Sequence, residues 1–113
     1  MNTEKVKLVV YVPEEYVMKI RDALHEDGYL KAGLYDHVVS WQKSNGTWRP
    51  LSGSHPFNGA EGKISVGTEA RMEVRCPKNK AKKALQIIRS LHPYEEPVID
   101  IIPLIAEEEL PGK

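Results

Sequence analysis

The chain has 113 residues, enough for one domain of modest size. With 41% hydrophobic and 28% charged residues it can form a real core, though a chain this short keeps much of its surface wet. Lys+Arg 16 against Asp+Glu 16 leaves no net charge, which excludes an electrostatic case for nucleic acid or an anionic membrane and removes one barrier to self-association.

Residues Lys5 to Val12 alternate, with Val6, Leu8, Val10 and Val12 on one face and Val9 and Tyr11 adding bulk to the other, which predicts a central strand. Pro13 suits a first helical position, Glu14 and Glu15 complement the positive helix end, and Val17, Ile20 and Leu24 form one stripe that Gly28 terminates. His25 is expected on the exposed side of this helix, without a role. Tyr35 to Trp41 is a moderate strand signal. Ser44-Asn45-Gly46 predicts a tight turn, with Thr47-Trp48-Arg49 as the returning arm of an extra hairpin that Pro50 ends. On that reading Trp41 and Trp48 pair across the turn.

A glycine-rich loop, Ser52 to Gly62, is long enough to suggest contact with a ligand or partner. Thr68 to Cys76 alternates strictly, with Ala70, Met72, Val74 and Cys76 inward and Glu69, Arg71, Glu73 and Arg75 outward. Asn79 to Leu91 reads as a helix that His92-Pro93 stops, and Val98 to Leu104 as a last strand. The order is an α+β, ferredoxin-like βαββαβ sandwich with both helices on one sheet face, and the glycine-rich loop lies between its halves. Residues 1–106 form one domain and 107–113 a flexible tail.

The lone Cys76 excludes a disulfide framework and a cysteine-based zinc site, and its inward phase predicts an inert thiol. No early apolar run is long enough for a signal peptide or a membrane span, so a cytoplasmic address is expected. Lys78, Lys80, Lys82 and Lys83 crowd the start of the second helix, as a solvated basic face or an anion site. No P-loop, G-x-G-x-x-G or nucleophile elbow is present.

The sharpest string is His92-Pro93-Tyr94-Glu95-Glu96-Pro97. His92, Glu95 and Glu96 could ligate Zn or Cu, with His37 or His55 of a neighbouring subunit completing the set. The other reading is a rigid turn: Pro93 stops the helix, Tyr94 packs at the sheet end, and His92 sits at the negative helix terminus.

Six strings in order carry a family resemblance: Val12-Pro13-Glu14, Gly33-Leu34-Tyr35-Asp36-His37, Gly46-Thr47-Trp48-Arg49-Pro50, Gly53-Ser54-His55-Pro56-Phe57-Asn58-Gly59, Glu69-x-Arg71-x-Glu73, and His92 to Pro97. Over residues 5 to 104 the chain resembles the insertion domain of the NIF-three-like (YqfO) proteins, which are described as GTP cyclohydrolase type-two-like or dinuclear-metal proteins. The last string and the apolar strand ending Pro103-Leu104 also resemble the end of CutA proteins, fold cousins that, like PII signal proteins, assemble as trimers. The resemblance implies a CutA/PII-like module without the larger domain that holds the family's metal ligands, so that centre does not carry over.

The expected function is a non-catalytic module for ligand sensing, self-association or protein docking. A homo-oligomer, with a trimer favoured, is expected, and a small-molecule or protein ligand, but neither nucleic acid nor membrane. The alternative is a divalent metal protein using the His92 to Glu96 turn at a subunit interface. A small enzyme with Tyr94 or His92 as acid/base ranks last. The site is expected to gather that turn, the loop carrying Gly53, His55, Pro56 and Gly59, and the strand end Tyr35–His37. Glu69, Arg71 and Glu73 are candidates for pairing across strands or subunits.

Overall fold

A computed structural model describes residues 4–112. Four strands and two α-helices follow one another as β1 (Lys5–Val12), α1 (Val17–Glu26), β2 (Ser40–Trp48), β3 (Ser65–Pro77), α2 (Ala81–Leu91) and β4 (Ile99–Leu104). The strands form one antiparallel sheet in the order β2-β3-β1-β4. This is the ferredoxin-like βαββαβ arrangement, with β1 and β3 in the centre.

Strand alternation decides what the sheet buries. Val6, Leu8, Val10 and Val12 of β1 join Ala70, Met72, Val74 and Cys76 of β3 in one core. Val17, Ile20 and Leu24 of α1 and Ala81, Ala84 and Ile88 of α2 close over them, so both helices cover the same face. Leu8, Ile20, Leu24, Met72 and Ile88 are fully buried, and each large side chain contributes about 1.5–3 kcal/mol. Cys76 lies in this core, and burial pushes its thiol pKa up, as expected of an inert cysteine.

Helix α1 ends in a Schellman motif. The Gly28 N–H donates to His25 O at 3.0 Å and the Tyr29 N–H to Leu24 O at 3.0 Å, with Gly28 at φ +92°. The Tyr29 hydroxyl then donates to Lys80 O at 2.7 Å, and Lys83 pairs with Asp27 at 3.1 Å, tying the end of α1 to the start of α2.

Three expectations change. The Ser44-Asn45-Gly46 turn and its extra hairpin do not form, because β2 runs straight through them in nine-residue register with β3, from Ser40↔Glu73 to Trp48↔Ser65. Trp41 and Trp48, seven residues apart on one strand, therefore point to opposite faces and do not pair. Tyr35 to His37 are not a strand end: Ala32 and Tyr35 exchange backbone hydrogen bonds of 2.9 and 3.0 Å in a tight turn ahead of β2. The segment expected to fray holds a 3-10 turn, Glu107–Glu109, docked on β1 by a Lys5–Glu108 ion pair of 3.1 Å. Among the described residues no helix is long and apolar enough to cross a membrane.

Candidate functional site

His92 caps the C-terminus of α2 and is 8% exposed. Its Nε2–H donates to Tyr11 O at 2.7 Å, and its Nδ1 accepts the Tyr94 N–H at 3.2 Å. Both ring nitrogens are occupied and the tautomer is fixed. Burial lowers the His92 pKa and keeps the ring neutral. A metal ion needs a free ring lone pair, and in this arrangement both His92 nitrogens are engaged by the backbone. The rigid-turn reading fits it instead.

Tyr94 packs on the His92 ring with centroids 4.7 Å apart and donates its hydroxyl to Glu69 Oε2 at 2.7 Å. Burial first, then the hydrogen bond to Glu69, raises the Tyr94 pKa far above the ordinary phenol value. This hydroxyl holds its proton and is a poor acid/base candidate. Glu95 turns the other way, and its Oε1 accepts the His55 N–H at 2.9 Å. Phe57 reaches the same place, 5.9 Å from the Tyr94 ring and 6.3 Å from Tyr16. The glycine-rich loop and the His92 to Glu96 turn therefore meet, through the His55 backbone rather than its exposed side chain. Glu96 is exposed.

Glycines in that loop and in the neighbouring β3 shape it. Trp48 donates its Nε1–H to Asn58 O at 3.0 Å. A Cβ on Gly59, at φ +97°, would sit 2.8 Å from that indole nitrogen, and one on Gly67 would sit 3.1 Å from the Trp48 ring. Gly53, at φ +89°, supplies a turn in open space, and Pro56 lies exposed between them.

Glu69, Arg71 and Glu73 stand on the sheet face away from the helices, where Glu73 pairs with Lys7 of β1 and with Arg71 of its own strand. Lys7 Nζ lies 2.9 Å from Glu73 Oε1, and Arg71 binds Glu73 Oε2. Lys7 first, then Arg71, holds the Glu73 carboxyl below its usual range. Arg71 also donates to the Tyr11 hydroxyl at 3.4 Å. Val9 lies among these long side chains and is 1% exposed. Beside them a shallow depression of about 380 Å³ is lined by Tyr11, Glu69, Tyr94, Val98 and Asp100. It offers two carboxylates and two phenols to a ligand, next to the β4 edge.

Tyr35 and His37 do not join this site. His37 lies against His25 at the C-terminal end of α1, whereas Tyr16, just before its N-terminal end, packs with Phe57, which also contacts Tyr94. The two groups stand about 15 Å apart along the ten-residue helix. His37 stacks on His25, with ring centroids 3.7 Å apart, so His25 is not the bystander its sequence position suggests. Its position gave a faint signal: it lies about 100° from the Val17–Ile20–Leu24 stripe, at the boundary of the buried face.

No family model matches the sequence. The chain is 38% identical over 98 residues to the GTP cyclohydrolase 1 type 2 homolog of Bacillus subtilis, covering 87% of this chain and 26% of the relative. It therefore spans about a quarter of the length of such curated relatives. A Bacillus cereus protein related to NIF3 superposes with a TM-score of 0.75 at 30% identity, over 90% of this chain and 26% of that one. The CutA1 divalent ion tolerance protein of Ehrlichia chaffeensis superposes with a TM-score of 0.69 at 16% identity, over 96% of this chain and 90% of that one, a likeness of fold. By sequence the chain is similar to a segment of about a quarter of the length of these NIF3-related proteins, and its fold is similar to that of CutA1.

Proposed function

We propose that this chain is a non-catalytic module that self-associates through its β4 edge and takes a ligand or partner in the depression beside it. The observation that carries the reading is the composition of that edge. Ile101 is 51% exposed and Ile102 40%, and Val98 and Ile105 at the strand ends are more than half exposed. An edge strand has unpaired backbone donors and acceptors, and an apolar one exposed on both faces is a template for pairing unless covered. A second copy is the occupant we favour, because the chain has no net charge to oppose association. Three copies joined head to tail would close such a contact into a ring.

Light scattering of the native protein tests the reading. The expected result is a multiple of the 12.8 kDa chain mass, three copies being favoured, reduced to one chain in a folded Ile101→Glu variant. A single-chain mass for the unaltered protein at high micromolar concentration would overturn it.

A further inference from the structure

The end of the domain away from the His92 turn carries a second group of chemistry-bearing side chains. His25 sits in the last turn of α1. Its Nδ1 is buried and has no hydrogen-bond partner among the described residues. The His37 ring stacks on it at 3.7 Å, inclined by 26°. Asp36 Oδ1 lies 2.8 Å from His37 Nδ1. One ligand atom from each of these three residues falls within 4.8 Å of the others.

The backbone builds this juxtaposition. After the Schellman motif the chain turns back at Leu30, φ +68°, and the Val38 N–H donates to Leu30 O at 2.9 Å. His37 takes φ +56°, a left-handed conformation unusual for a residue with a side chain, and this lays its ring over α1. A buried imidazole nitrogen normally finds a partner, so the orphaned Nδ1 of His25 asks for one.

From these observations we infer that His25, Asp36 and His37 form a binding site for a borderline divalent transition-metal ion such as Zn2+. Two imidazoles and a carboxylate suit that class, and a fourth position is left for water or an incoming ligand. Donors around a tetrahedral ion lie about 3.4 Å apart, given metal–nitrogen bonds of about 2.1 Å. Binding therefore draws the three groups together and swings His37 out of the stack. His37 and Asp36 are both exposed enough to move. The inference does not depend on self-association, because all three residues come from one chain.

Calorimetric titration of the full chain with ZnCl2, with MgCl2 as control, tests it. One zinc ion per chain is expected, with little response to magnesium. His25→Gln and His37→Gln are each expected to weaken binding about tenfold or more, and Asp36→Asn severalfold. The folded Ile101→Glu chain is expected to bind zinc with the same stoichiometry, which separates this site from the β4 contact. If His25→Gln does not fold, His37→Gln, altered only in an exposed loop, carries the test. No zinc uptake, or unchanged affinity in folded His37→Gln, would overturn the inference, as would loss of binding in the Ile101→Glu chain.

Discussion

The sheet has two edges, and they are finished differently. On one side β2 reads SWQKSNGTW, with two tryptophans, each 38% exposed, flanking a polar centre that runs from Gln42 to Thr47. Such an edge can stay in water. On the other side β4 reads IDIIPL, with Asp100 its only charge and Pro103 its only residue without a backbone donor. The two isoleucines in its middle are about half exposed. The apolar centre of β4 contrasts with the polar centre of β2, and the proposed contact with a second copy would bury it.

The largest expected effect falls on β4 itself. Ile101→Glu places a charge on the proposed contact and is expected to shift association by at least tenfold, read as a fall in mass on dilution; a folded variant with unchanged mass would remove the contrast. Next come the supports behind that edge. Tyr11, at the end of β1 beside β4, gives its carbonyl to His92. His92→Ala is expected to cost about 2–4 kcal/mol in chemical unfolding, because it leaves a cavity and two unpaired backbone groups. A cost within a few tenths would mean that the His92 bonds do not hold this end.

The same residue predicts a pH dependence. The folded His92 pKa lies below its unfolded value of about 6.5, so the fold favours the neutral ring. Its stabilisation is complete above that value and is lost as pH falls through the lower folded one, because the unfolded chain then binds the extra proton. The melting temperature should drop on going from pH 7.5 to pH 5, and His92→Gln should flatten the drop. On the β2 side, Gly59→Ala forces a Cβ against Trp48 and Ser65 at φ +97°. The expected loss is about 1–3 kcal/mol, with a shift in tryptophan emission, and the native mass should not change. Tyr94→Phe, which removes only the hydroxyl from Glu69, is expected to cost about 1 kcal/mol.

Most of the fold is legible in the sequence because the pattern and the packing agree. The strict alternation of Ala70 to Cys76 and the Val17–Ile20–Leu24 stripe each point to the face that the structure buries. The Asn45-Gly46 pair misleads because β3 is long, and its nine-pair register with β2 holds both residues extended. Tertiary pairing there overrides local turn preference. The meeting of the His55 loop with the His92 turn is foreseeable as a possibility, but its atoms are a backbone N–H and a carboxylate, which no side-chain motif encodes. His25 and His37 stand twelve positions apart and meet only because the chain doubles back after Gly28, a contact that neither strand nor helix periodicity registers.

The central claim, that β4 is a covered edge in the native assembly, is tested most directly by amide hydrogen exchange along residues 98–105 at high and low protein concentration. The account predicts slow exchange at high concentration that becomes fast on dilution or in Ile101→Glu, while the central strands β1 and β3 stay protected throughout. Fast exchange along β4 at every concentration, with β1 and β3 protected, would contradict it.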